Sequence, residues 1–425
     1  MQVGKVRCLP ETPTTPSAVS HAPVAVGERL LQLDVLRGLA LFGVLLVNIG
    51  YFCGADLARE AGVAYPLGGF GGVAGDLVRV LLENKAAALL SILFGAGLAI
   101  QDERASDKGQ SRWPFALRRS AVLALLGSLH TFLLWNVDIL LDYALISMMV
   151  LPFLRFSAGR VLWAIPVVLI ASAVFAVPML ALATDLSPAQ TYAMGLQHYG
   201  QGGWLDALHY RWWETLHVIG PMRIANRLVI LAPFFIVGVA AWKGGWLSAP
   251  DAHRHRLRQV FVLCFGFGLV ANAVPQEALH AWVSQLSLQP LRVLIKATFF
   301  FAKFTLTLGY AAGILLLLQH SRWREWLGVF APLGRMALTQ YLLQSLVCTW
   351  IFYGFGLGQY GRMPLDLALA LGVLLFALQV ISSRWWLARF SIGPVEWLWR
   401  RLSYGGIRKR AQAPEREKGS ENISV

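Results

Sequence analysis

The chain reads as long apolar runs separated by short polar punctuation, and several runs approach or exceed the roughly 20 residues that cross a bilayer as a helix. The stretches 161–183 (VLWAIPVVLIASAVFAVPMLALA) and 365–387 are examples. About ten spans follow, at 35–53, 84–101, 117–135, 139–154, 161–183, 227–243, 259–274, 294–318, 330–352 and 365–387. The expected fold class is all-α, a polytopic transmembrane helical bundle occupying 29–400. The stretch 68–82 must not cross on its own. Its Gly-rich start (GGFGGVAG) and the Arg79/Glu83 pair at i,i+4 suit an interfacial or re-entrant helix.

Composition sharpens the class. Hydrophobic residues make up 56% of the chain and charged residues 14%. A soluble domain carries about 25% charged residues, so side chains that cover a soluble surface are scarce here. Residues 1–28 are rich in Pro, Thr, Ser and Ala without an apolar core, which predicts a disordered leader and no secretory signal. The net charge of +14 is not a nucleic-acid footprint, because the basic residues gather in short loops and in the tail 401–425. They are Arg104, Lys108, Arg112, Arg118 and Arg119, then Lys243, Arg254, Arg256 and Arg258, then Arg322 and Arg324, and finally Arg408, Lys409 and Arg410. Lys and Arg retained on the cytoplasmic side set the orientation, so both termini are expected in the cytoplasm. Cys8, Cys53, Cys264 and Cys348 form no CxxC pair, and neither a disulfide framework nor a metal site is expected. The partner expected from composition is the lipid bilayer.

Candidate chemistry comes from polar groups inside the apolar runs, where a charge near the bilayer centre costs at least a few kcal/mol. Asp34 and Arg37 open the first span (LQLDVLRGLALFGVLLVN). They suit the helix dipole and lipid phosphates, or anchor an anionic cofactor arriving from the cytoplasm. In GSLHTFLLWNVDILLDY (127–143), Asn136 is expected to break the helix, so that a tight hairpin folds Asp138 back towards His130. A carboxylate fixes the tautomer of an imidazole and stabilises its charged form, a general-base arrangement with Asp142 as a second acid and Trp135 and Tyr143 beside it. The plainer reading is that His130 hydrogen-bonds neighbouring helices together.

Lys303 lies too deep in RVLIKATFFFAKFTLTLGY (292–310) to reach an interface easily, so a partner, a water-filled cavity or an anionic ligand is expected beside it. Gln340 and Gln344 share a face of GRMALTQYLLQS (334–345), either as packing contacts or as a site lining, and Arg335 adds a cation. The longest non-cytoplasmic piece, 185–226, holds Trp204, Asp206, His209, Tyr210, Arg211, Trp212, Trp213, Glu214 and His217. Its aromatics read as interfacial anchors, or as a platform for a sugar or another polar acceptor.

RLLQLDVLRGLALFGVLLVNI (29–49), SILFGAG (91–97), LHTFLLWNVDILLDY (129–143), GRMALTQYLLQSLVCTWIFY (334–353) and GPVEWLWR (393–400) together resemble the YeiB family of bacterial membrane proteins, in the same order over nearly the whole chain. More distantly, LDVLRG and the apolar run ending in Val47-Asn48 resemble the first span of the heparan-α-glucosaminide N-acetyltransferase group. That second resemblance implies acyl transfer from cytosolic acyl-CoA to a sugar or related acceptor across the membrane. By it, Asp34 and Arg37 belong to the acyl-CoA-facing part of the site.

One departure matters. The heparan enzyme carries its key histidine between the first two spans, and here no histidine occurs from 51 to 102. Either His130 has taken that role, or this branch performs a different reaction.

Two functions fit. As an acyltransferase, the protein uses His130 with Asp138 or Asp142 as base, Asp34, Arg37, Lys303 and Arg335 for the acyl-CoA donor, and Trp135, Tyr143, Gln340 and Gln344 around the substrate, with no metal. As a transporter of a small anion or metabolite, it uses the same buried charges as a substrate and proton pathway.

Overall fold

A computed structural model describes residues 30–107, 112–180, 186–274 and 276–404. The expected leader 1–28, Cys8, Lys108, the last residues of the 161–183 run, residue 185 and the basic cluster Arg408–Arg410 lie outside the described residues. Within them the regular structure is helical and no strand occurs.

The chain opens with α1 (Leu31–Cys53), α2 (Ala55–Glu60), α3 (Gly71–Leu81) and α4 (Lys85–Asp107). Then come α5 (Arg112–Leu129), a π-helical turn (His130–Leu134), α6 (Leu140–Val150), α7 (Ala158–Val161) and α8 (Ala164–Leu180). The segment expected outside is itself helical, with α9 (Pro188–Gly195) and α10 (Trp204–Glu214) leading into α11 (Gly220–Lys243). The remainder is α12 (Arg254–Ala273), α13 (Gln276–Ser284), α14 (Gln289–Leu317), α15 (Ser321–Gly328), α16 (Ala331–Arg335), α17 (Ala337–Phe352), α18 (Leu365–Leu387) and α19 (Pro394–Tyr404).

Among the described residues each of the ten ranges expected to span falls largely on helix. Five helical stretches are by themselves long and apolar enough to cross a bilayer: α1, Trp113–Leu134, Pro250–Ala273, α14 and α18. In lipid the backbone must satisfy its own hydrogen bonds, and a helix does so within one segment.

Burial ranks these helices. The most apolar window of α1 is 72% buried and that of Pro250–Ala273 only 22%, so α1 forms the centre and α12 the rim. Around α1 pack α2, α3, α4, α16, α17 and α18. Hydrophobicity does not draw helices together in lipid, so close approach through small residues matters. Gly95 of α4 lies against the Phe235 carbonyl of α11, and Gly238 of α11 against the Ile92 carbonyl of α4. The pairing is antiparallel, and it leaves no room for a Cβ at either glycine. Gly268 with Leu306, and Gly309 with Phe265, repeat that register between α12 and α14.

The stretch 68–82 forms α3, eleven residues long and about 16 Å by helical rise, about half of a hydrocarbon core. Its start lies beside Leu365 and Asp366 at the head of α18, while Leu82 and Ala86 meet Gly43 halfway along α1. The turn between α3 and α4 places Asn84 in the left-handed region at φ 62°. The two helices therefore meet beside the middle of α1, and α3 by itself is too short to cross a bilayer. Arg79 pairs with Asp76, one turn back, rather than with Glu83.

Gly95→Val or Gly238→Val is expected to force α4 and α11 apart at a cost of about 1–3 kcal/mol, as overpacking of a filled interface does. A lowered thermal midpoint in detergent checks this, and an unchanged midpoint in both variants refutes the packing argument.

Candidate functional site

The site begins with a helix that widens. After Leu129 the chain makes a π-helical turn in which the Trp135 N–H donates to the His130 carbonyl at 2.8 Å. Such single wide turns recur at functional sites because they add a residue and re-aim a side chain. Trp135 then leaves in an extended conformation (φ −160°, ψ 126°), and its ring stacks on Phe52 at 4.0 Å between centroids. The chain reverses through Asn136, Val137 and Asp138 into α6.

Asp138 is held by several groups. One carboxylate oxygen lies 2.8 Å from His130 Nδ1, and the Tyr341 hydroxyl of α17 donates to the same oxygen at 3.3 Å. The other oxygen accepts the Leu141 N–H at 2.9 Å, satisfying one of the free donors at the start of α6. The Tyr341 oxygen in turn accepts the Ile139 N–H at 3.3 Å. The side chains of His130 and Asp138 are both 1% exposed. With a carboxylate at Nδ1, the network assigns the proton of a neutral ring to Nδ1 and the lone pair to Nε2. Nε2 is sealed from solvent and has no hydrogen-bond partner among the described residues. Imidazole, carboxylate and phenol thus share one enclosed point at the Cys53 end of the bundle.

Asp142 lies one turn further on and is not brought to the imidazole. Arg227 of α11 reaches its Oδ2 at 3.1 Å, and the same guanidinium nitrogen donates to the Asp138 carbonyl. Tyr143 is buried and donates to the Ala87 carbonyl at 2.6 Å, tying α6 to α4. Gln340 and Gln344 face away from the hairpin towards α18. Gln340 Nε2 donates to Ser383 Oγ at 2.8 Å, Gln344 Nε2 to Gln379 Oε1 at 2.9 Å, and Gln379 Nε2 to the Gln340 carbonyl at 2.9 Å. One position along α17 separates this amide ladder from Tyr341, because successive helical residues point about 100° apart.

Asp34 and Arg37 form an ion pair at 3.0 Å at the other end of α1, about 27 Å from Phe52 by helical rise. Arg335 is at that end too: Gly334 packs on the Asp34 carbonyl, and Arg335 Nη2 donates to the Ser391 carbonyl at 3.4 Å. Glu396, from the GPVEWLWR block, accepts the Leu338 and Thr339 N–H groups at 2.7 and 3.0 Å, placing a negative charge at the start of α17. Lys303 rides on α14, which packs chiefly on α12 and α4, within electrostatic reach of Glu83 and Lys85. The expected site residues therefore fall into separate places. His130 and Asp138 meet beside Trp135, Asp142 pairs with Arg227, Tyr143 ties α6 to α4, and the remainder serve the α17–α18 seam, the Asp34 end and the α3–α4 junction.

Sequence reasoning missed several contributors. Tyr341 reads as one polar residue among several in its span. Arg227 begins an apolar run as a lone cation, a signal that could have marked it. In the 185–226 segment Trp204 and Trp212 stay exposed, whereas Tyr210, Arg211 and Glu214 turn inward. Glu214 accepts hydrogen bonds from Asn136 at 2.7 Å and from Tyr199 at 2.6 Å. A second His–Asp pair, His198 with Asp206 at 3.1 Å, lies on the exposed rim of the same segment.

An apolar helical bundle with a sealed His–Asp–Tyr cluster defines a polytopic α-helical membrane protein. Over 411 residues the chain is 32% identical to the uncharacterized protein YxaH of Bacillus subtilis, covering 91% of this chain and 96% of the relative. Over 408 residues it is 31% identical to the uncharacterized protein YeiB of Escherichia coli, covering 88% and 96%. A 39.9 kDa protein of Bacillus acidopullulyticus, encoded 3′ of an amylase, is 27% identical over 383 residues, with 90% and 96% covered. Residues 241–406 match a family model described as a protein of unknown function, DUF418. The chain belongs to the YeiB family.

Arg227→Met is expected to destabilise the protein by about 1.5–3 kcal/mol, the loss typical of hydrogen bonds to a charged group. Adding Asp142→Asn should recover part of that loss, since both charges of the pair are then gone. Thermal unfolding of the single and double variants in detergent measures the difference, and strictly additive losses would show that the pair is not coupled.

Proposed function

We propose that this protein is a membrane-embedded acyltransferase of the bacterial inner membrane, passing an acyl group from cytosolic acyl-CoA to a hydroxyl or amine of an envelope glycan or metabolite. The observation that carries the reading is the His130–Asp138 contact, with the second imidazole nitrogen buried and without a hydrogen-bond partner among the described residues. In this reaction His130 Nε2 takes the proton of the acceptor as the acceptor attacks the thioester carbonyl. Asp138 steadies the imidazolium. The carbon–sulfur bond then breaks, and the proton passes to the departing CoA thiolate.

The loop charges support an orientation with both termini in the cytoplasm. The Asp34 end of α1 then faces the donor, where Asp34, Arg37 and Arg335 frame the entry of a polyanionic CoA, and the Trp135 end faces the acceptor. Lys303 supplies a further cation at mid-depth. Because Nε2 is sealed, the acceptor reaches it only when the side chains around the hairpin part.

A transport reading draws on a different observation, the break between α3 and α4 halfway down α1, with Lys85 at the break. Broken helices with charged residues at mid-depth are a common plan for substrate sites in transporters.

Protein purified in detergent, given acyl-CoA and envelope-glycan extract, is expected to release free thiol. His130→Ala and Asp138→Asn should each slow release by about 10²–10⁴-fold, the usual contribution of a positioned base. Release unaffected by either change removes the pair from the mechanism. Uptake of a solute into proteoliposomes without any acyl donor, dependent on Lys303, would favour transport instead.

A further inference from the structure

The wide turn that delivers His130 to Asp138 leaves its own main chain in need of partners. The last carbonyls of a helix have no intrahelical N–H to accept from, and here the chain leaves at once in an extended conformation. One of those carbonyls is met from another element: Arg211 Nη1 of α10 donates to the Leu133 carbonyl at 2.8 Å. On the far side of Trp135, Asn136 Nδ2 donates to Glu214 Oε2 at 2.7 Å. Arg211 and Glu214 are three residues apart on α10, so one face of one helix grips the turn both before and after its reversal.

Both gripping side chains are only 2% exposed. The Arg211 guanidinium carbon lies 5.8 Å from the ring centres of both Tyr199 and Tyr353, and the Tyr199 hydroxyl donates to the Glu214 oxygen that also receives Asn136. The Tyr353 side chain also hydrogen-bonds Arg211, so the buried guanidinium is shared between the Leu133 carbonyl and the tyrosine cluster. Its bond to Leu133 ties α10 to residues 131–137, the bend that separates His130 from Asp138.

We propose that Arg211 is a positioning residue for His130: by pinning the Leu133 carbonyl it fixes the wide turn, and with it the angle at which the imidazole meets Asp138. The proposal rests on the reading of His130 as general base. Arg211 acts through the main chain, and Glu214 secures the same bend through Asn136. The groups that face the imidazole are Asp138 from the hairpin and Tyr341 from α17, with Arg227 of α11 at the Asp138 carbonyl. Loosening the turn therefore changes chiefly the hold of Asp138 on the ring.

The test is the His130–Asp138 hydrogen bond itself, read from nitrogen resonances of histidine-labelled protein in detergent and assigned by their loss in His130→Asn. Arg211→Met keeps an apolar stem and removes the donor. It is expected to move the His130 Nδ1 resonance measurably from its wild-type position, since loosening the turn weakens the carboxylate contact. Arg211→Gln, short and neutral, carries the same expectation if the Met variant does not fold. Arg211→Lys retains a cationic donor and should return the resonance most of the way to wild type.

A wild-type His130 Nδ1 resonance in a folded Met or Gln variant overturns the proposal, and so does a Lys variant that shifts as far as Met. The resonance measurement needs no substrate, so it separates the two ideas. A shift at Arg211 together with thiol release indifferent to His130 would sink the general-base reading alone. Release that depends on His130 with no shift at Arg211 would sink the positioning role alone.

Discussion

A polar group inside hydrocarbon has no water to turn to, and each one left unpaired costs several kcal/mol. The architecture of this protein follows from that constraint. Backbone groups are consumed within helices, and where a helix must bend or break, another element supplies the missing partner. Glu396 does so at the start of α17, Asp138 at the start of α6, and Arg211 at the end of the wide turn. The amides of Gln340, Gln344 and Gln379 form a polar seam between α17 and α18 for the same reason.

The same constraint makes the His130 site conspicuous. Around it nearly every donor and acceptor is committed: Asp138 to the imidazole, the Tyr341 hydroxyl and the Leu141 N–H, and Arg227 to Asp142. His130 Nε2 is left without a hydrogen-bond partner among the described residues, as are Gln340 Oε1 and Gln344 Oε1 of the α17–α18 seam.

Two ends of one helix organise the functional reading. α1 runs through the centre of the bundle, with the Asp34–Arg37 pair at its start and Phe52 against Trp135 at its finish. The glycine contacts that pull α4 against α11 and α12 against α14 hold the neighbouring helices close enough for small shifts at one element to be felt at the next.

The helical class was legible in the sequence, because the period and length of apolar runs are local properties; five helical stretches are by themselves long and apolar enough to cross a bilayer. The hairpin was legible as well: Asn136 between His130 and Asp138 marks a reversal, and a reversal that short brings the pair together. Other choices were made only in three dimensions. Asp142 is a single helical turn from Asp138, yet it pairs with Arg227, 85 residues later in the chain. Gln340 and Tyr341 are adjacent in sequence, yet one serves α18 and the other the imidazole. Arg211 and Glu214 sit among exposed tryptophans, and their inward turn depends on α10 docking against the hairpin. Which partner a buried charge takes is a contest between contacts distant in sequence, settled by how the helices pack and not by the residues beside it in the chain.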